Sequence, residues 1–207
     1  MMAPMDYIRD PKEIYRRSFE MVAVETDISG IPPEGVPLTH RIVHACGMPE
    51  IATELRMTNH AITAGRNALL EGAVILTDCN MLASGIIRER LPNDNDIICT
   101  LNDTRPEAGN TRSAAAVDAW KQHLENAVVA IGNAPTALFR LLEILQDGAP
   151  KPAVILGFPV GFVGAAESKK ALTLSNLGIN FITLLGRRGG SAIAAASVNA
   201  LSSDKIT

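Results

Sequence analysis

The sequence predicts an α/β fold: one domain over residues 1–207, a doubly wound, mostly parallel sheet with helices on both faces in a three-layer αβα arrangement. Five short apolar runs carry this prediction, "AVILTD", "DIICTL", "AVVAIGN", "PAVILGFP" and "NFITLLG". Each is rich in Val and Ile without polar alternation, as expected for strands buried on both faces. Helical patterns separate most of them. The composition agrees, because 47% of the chain is hydrophobic but only 4% aromatic, so Ala, Val, Ile and Leu must make the core.

Along the chain, Asp10 caps and Pro11 opens a first helix, "PKEIYRRSFEMVAVETD", with Ile14, Phe19, Met21, Val22 and Val24 on one face. "SGIPPEGVP" is a breaker-rich loop. A second helix runs from Leu38 to Cys46 and stops at Gly47. "HAITAGRNALLEG" is a third helix ending at Gly72, just before the first strand. Helices over "TRSAAAVDAWKQHLEN", "PTALFRLLEILQDG" and "AAESKKALTLSN" alternate with the later strands, and "GSAIAAASVNAL" follows the last one.

A net charge of −3 argues against a general polyanion binder, so no nucleic-acid partner is expected. The basic residues are mostly arginine, which suits bidentate recognition of a small carboxylate- or phosphate-bearing ligand. Cys46, Cys79 and Cys99 are widely spaced and form no CxxC pair, which supports neither a metal site nor a disulfide framework. The N-terminal segment has no apolar signal-peptide core, and "AVILGFPVGFVGAA" is shorter than the roughly 20 residues of a membrane span. The expectation is a cytoplasmic protein with no membrane partner.

In open α/β sheets ligands bind beyond the carboxyl ends of the strands. That rule singles out Asp78; Asn102 and Asp103; Gly132, Asn133 and Thr136; Pro159, Gly161 and Gly164; and Gly186 to Ser191. The turn "GFPVGFVGAAES" is spaced GxxxGxxG and has three readings: a dinucleotide cradle, tight strand-to-helix packing, or backbone approach to a large flat ligand. Gly189, Gly190 and Ser191 at a helix start form an anion cradle or a plain loop. Arg112, in the first turn of its helix, opposes the helix dipole unless an anion or an acidic neighbour (Asp118 or Glu107) offsets it. His40, His60 and His123 read as surface residues. In "RIVHACG", His44 is either a satisfied core histidine or a chemical group beside the Gly47 break, and Cys46 reads as packing.

Taken together, "DYIRDPKEIYRRSF", "RIVHACG", "NTRSAAA", "VVAIGNAPTALF", "DGAPKPAVILGFPVGFVGAAESK" and "GRRGGS" resemble the precorrin-8X methylmutase family of cobalamin (vitamin B12) biosynthesis, over Asp6 to Leu201. The resemblance implies a single α/β domain acting as a homodimer, without metal or dissociable cofactor. It implies a 1,5-sigmatropic shift of a methyl group from carbon 11 to carbon 12 of precorrin-8X, giving hydrogenobyrinic acid. Carried over residue by residue, it makes His44 catalytic, as a proton or hydrogen-bond donor to the macrocycle. Arg17 and Ser18 of "RRSF" become substrate contacts, as do Arg112, Asn133, Thr136, Gly161, Gly164, Gly189, Gly190 and Ser191. The "ICTL…NTRSAAA" region is similar to the cobalt-free, aerobic branch. Some members carry a threonine where this chain has Ile86 and Ile87, so a hydroxyl contact is missing there or supplied elsewhere. The competing readings are the cobalt-precorrin-8 reaction, a corrinoid carrier and a dinucleotide-dependent oxidoreductase.

Overall fold

The computed structural model describes residues 5–203; the first four residues of the N-terminal segment and the last four of the chain lie outside the described residues. Six strands form one sheet: β1 (Leu55–Met57), β2 (Ile75–Thr77), β3 (Ile97–Ile98), β4 (Val128–Ile131), β5 (Val154–Gly157) and β6 (Phe181–Leu184). Their spatial order is β1-β6-β5-β4-β2-β3, and every pairing is parallel except β1 with β6. All five predicted strands are present. The antiparallel edge strand β1 is an addition to the five expected. It is three residues long and contains Arg56, so it has no apolar run of its own.

Side chains alternate between two cores. Ile75, Val128, Val154 and Ile182 face helices α3 (Ala61–Leu70), α4 (Asn80–Gly85) and α8 (Ser191–Leu201), and α2 (Val36–Cys46) and then α1 (Pro11–Glu25) extend that core outward. Leu76, Val129 and Ile155 face α5 (Arg112–Asp118), α6 (Pro135–Gln146) and α7 (Ala165–Leu174). Each such buried side chain contributes about 1.5–3 kcal/mol, so burial on both faces is what holds the strands.

Local chemistry sets the helix ends. Asp10 Oδ1 accepts from the Lys12 N–H at 3.0 Å, and Pro11 opens α1. Gly47 adopts φ +67°, a left-handed conformation that stops α2 while its N–H donates to the Val43 carbonyl. Two expectations are corrected. The predicted helix over residues 111–126 ends at Asp118 and continues only as a short 3-10 turn, Lys121–His123. The break lets Trp120 turn fully inward, with its indole N–H donating to Thr100 Oγ1 at 3.0 Å. On α1, Val22 is buried but Ile14, Met21 and Val24 point outward, so the apolar face read from sequence is not a core face. Helix α4 is a further addition, only six residues long and so without a periodic pattern of its own.

Candidate active site

Strand order reverses between β2 and β4, which makes their carboxyl ends the switch point of the sheet. Asp78, directly after β2, fills that point. Its carboxylate accepts from the N–H groups of Gly132, Asn133 and Ala134 at 2.9, 2.9 and 2.8 Å. Burial pushes the Asp78 carboxyl up from its ordinary value, and the three N–H donors pull it down. The backbone donors after β4 are therefore committed to the protein's own carboxylate.

A similar closure occurs after β6. The Gly190 N–H donates to the Phe158 carbonyl at 2.8 Å, and a Cβ on Gly189 would collide with the Phe158 and Pro159 carbonyls. Ser191 is buried, with its Oγ 3.2 Å from Cys79 Sγ. The Gly189–Ser191 turn is thus packed against the β5 loop, with one of its N–H donors, that of Gly190, already taken. Gly161 and Gly164 do have the positive φ that glycine permits, +142° and +82°. Between them the loop exposes Phe162 and Val163 almost completely, and the Arg187 guanidinium lies over the Phe162 ring at 5.5 Å.

Arg112 is the first residue of α5, exposed and without an ion pair among the described residues. Asp118 pairs instead with Arg140 and Lys121. Thr136 lies beside Thr111, which caps α5 and donates to Thr136 Oγ1 at 2.9 Å. Both threonines line a cavity of about 710 Å³ between α5 and α6. Asn133 is exposed at the switch point.

The sharpest juxtaposition lies where α1 crosses α2. Ser18 Oγ is 2.8 Å from His44 Nδ1. Phe19 stacks on the imidazole with centroids 4.7 Å apart and planes inclined by 20°, and the Tyr15 ring is 6.0 Å away. Tyr15, Ser18 and Phe19 share one face of α1 at i, i+3 and i+4, a spacing visible in the sequence. The His44 residue remains exposed, so it is not a satisfied core histidine. Partial burial of the ring, then the charge of Arg41, lowers its pKa below the ordinary imidazole value. Arg17 is exposed on α1, with its Nε donating to Glu13 Oε1 at 2.6 Å. His40 corrects another expectation: it is half-buried, with Nε2 sealed from solvent and unpartnered.

Tyr15 and Phe19 also line a cavity of about 890 Å³, with Lys12, Arg16 and Glu20 from the same helix and Arg90 opposite. The imidazole therefore stacks on an aromatic residue that is also part of a cavity wall bordered by cations. Beyond the end of α2, Glu50 pairs with Arg188 at 3.0 Å, which ties this region to the loop after β6. Ile86 is buried, and Ile87 is about one-third exposed with its N–H bound to Asn199.

A family model described as precorrin-8X methylmutase matches residues 13–203. The chain belongs to the precorrin-8X methylmutase family. Its methylmutase relatives include that of Pseudomonas aeruginosa, 54% identical over 97% of this chain and 99% of the relative. The precorrin-8X methylmutase of Sinorhizobium sp is 52% identical, over 97% and 98%. The solved precorrin-8X methylmutase of Thermus thermophilus superposes with a TM-score of 0.83 at 37% identity, covering 92% of this chain and 94% of that one. Members of this family are isomerases, and so is this protein. No helix among the described residues is long and apolar enough to cross a membrane.

Proposed function

We propose that the protein moves the methyl group at carbon 11 of precorrin-8X to carbon 12, releasing hydrogenobyrinic acid in the cytoplasm. The observation that carries this reading is the Ser18–His44 pair, set against the aromatic wall of a cation-rimmed cavity. Precorrin-8X is broad, flat and multiply carboxylated. Tyr15 and Phe19 offer it π surface, while Lys12 and Arg90 offer charge without an internal ion-pair partner among the described residues. A charge-assisted hydrogen bond contributes roughly 1.5–3 kcal/mol, so a few fix the ring's orientation.

A methyl migration is intramolecular: one carbon–carbon bond breaks, another forms, and no atom enters or leaves. The enzyme's task is to favour the tautomer of the conjugated ring that rearranges. With the Ser18 hydroxyl donating to Nδ1, a neutral His44 carries its proton on Nε2 and donates it as a hydrogen bond to the macrocycle. Such assistance is commonly worth ~10²–10⁴-fold. Arg112, Asn133, Thr136 and the Gly161–Gly164 loop extend the binding surface along the sheet's carboxyl edge. Ser191 and the Gly189–Gly190 turn support that loop from behind.

Identity above one half to two enzymes named for precorrin-8X supports the metal-free substrate. The outward side chains Ile14, Met21 and Val24, at i, i+7 and i+10 on α1, support a homodimer that buries them. The test is incubation of the purified protein with precorrin-8X, followed by absorption spectroscopy and mass spectrometry. Conversion to a spectrally distinct product of unchanged mass is expected. Retention of the pigment without spectral change means a carrier.

A further inference from the structure

Arg41 is a buried cation without a carboxylate. It is 7% exposed, its Nε is sealed from solvent with no acceptor, and it forms no ion pair among the described residues. What holds it is aromatic: one terminal nitrogen donates to the Tyr15 hydroxyl at 3.1 Å, and the guanidinium lies over the Phe19 ring at 5.7 Å. Burying a cation on such terms is costly, and a methionine or leucine would fill the same volume without that cost. Packing alone therefore leaves the arginine unexplained.

Both residues that hold Arg41 also flank His44, which lies three positions further along α2. Other charges around the imidazole are absorbed elsewhere. On α1, Glu13 and Glu20 pair with Arg16, and Glu13 also with Arg17. Beyond the end of α2, Glu50 pairs with Arg188. Helix α8, which packs on α2, carries no titratable side chain, and on α2 itself His40 is the remaining titratable group, apart from the Cys46 thiol. We propose that Arg41 is a positioning residue for His44: its uncompensated charge disfavours the imidazolium, and its hold on Tyr15 and Phe19 fixes the aromatic wall on which the ring stacks. The proposal deepens the assignment of His44 above and rests on it for its catalytic meaning.

The experiment is a titration of His44 by two-dimensional NMR in the full chain, for wild type, Arg41→Met and Arg41→Lys, beside kcat for precorrin-8X against pH. The wild-type midpoint is expected below the ordinary 6.5. Arg41→Met should raise it, since burial of the ring remains but the neighbouring charge is gone, and move the acid limb of kcat with it, whereas Arg41→Lys keeps it low. A wild-type midpoint at or above 6.5, an unmoved midpoint in folded Arg41→Met, or an Arg41→Lys midpoint as high as that of Arg41→Met each overturns the proposal. Where Arg41→Met does not fold, Arg41→Gln, polar but uncharged, takes its place in the same comparison, and an unmoved midpoint there overturns the proposal equally. Separately, turnover that survives in His44→Ala removes the catalytic assignment while leaving the titration result standing.

Discussion

Ser18 Oγ and His44 Nδ1 lie 2.8 Å apart although 26 residues separate them in the chain. The contact exists because α1 packs across α2 with Tyr15, Ser18 and Phe19 facing inward. It holds the imidazole by one nitrogen, and with the hydroxyl as donor it leaves Nε2 protonated toward a ligand.

Replacing Ser18 with Ala should therefore lower kcat more than it raises KM. A neutral hydrogen bond contributes about 0.5–1.5 kcal/mol, so a loss of roughly 2- to 10-fold is expected. Steady-state kinetics with precorrin-8X read it directly, and an unchanged kcat would mean that the hydroxyl does not orient the ring.

The lowered pKa of His44 gives a pH dependence of definite sign. Between its folded value and 6.5 the folded state binds less proton than the unfolded chain, so the group's contribution to stability is lost as pH falls through that window. Activity falls in the same direction, because the neutral imidazole is the donor. A kcat profile that instead rises on acidification below 6.5 would assign the work to the imidazolium.

Asp78→Asn tests the closure of the switch point. The amide keeps the shape but has one acceptor oxygen for three N–H donors, leaving at least one buried donor unpaired. Urea unfolding should show a loss of about 2–4 kcal/mol. A variant as stable as wild type would show that the three contacts contribute nothing net.

Lys169 is fully buried on α7, its Nζ donating to the Arg188 carbonyl at 2.5 Å, and burial lowers its pKa from 10.5 to about 8. Between those values the unfolded chain holds more proton, so stability rises with pH. Relative to Lys169→Met, wild type should gain about 2 kcal/mol between pH 7 and roughly pH 9.5, measured by urea unfolding. Parallel pH dependence in the two proteins would place the ammonium in contact with water.

Much of the architecture is legible because β2 to β6 are short, continuous apolar segments, and that pattern has few other uses. Strand β1 is hidden because pairing with β6, not its own composition, makes it a strand. Helix α1 misleads for the opposite reason: Ile14, Met21 and Val24 repeat as a buried face would, yet the chain leaves them uncovered. His44 and Ser18 are legible through motif resemblance, but their contact is tertiary and has no local signal. Arg41 looks in sequence like any arginine of an amphipathic helix, and only its burial without a carboxylate sets it apart. The strand-end rule located Gly190 and Ser191 correctly at the carboxyl edge. It carries no information on whether their donors are already taken, and the Gly190 N–H is taken by Phe158.

The central claim is that His44 assists the methyl shift, and single-turnover conversion of precorrin-8X by His44→Ala tests it most directly. The pigment should still bind, while its conversion slows by ~10²-fold or more. Conversion at the wild-type rate, with the variant folded and saturated, would contradict the account.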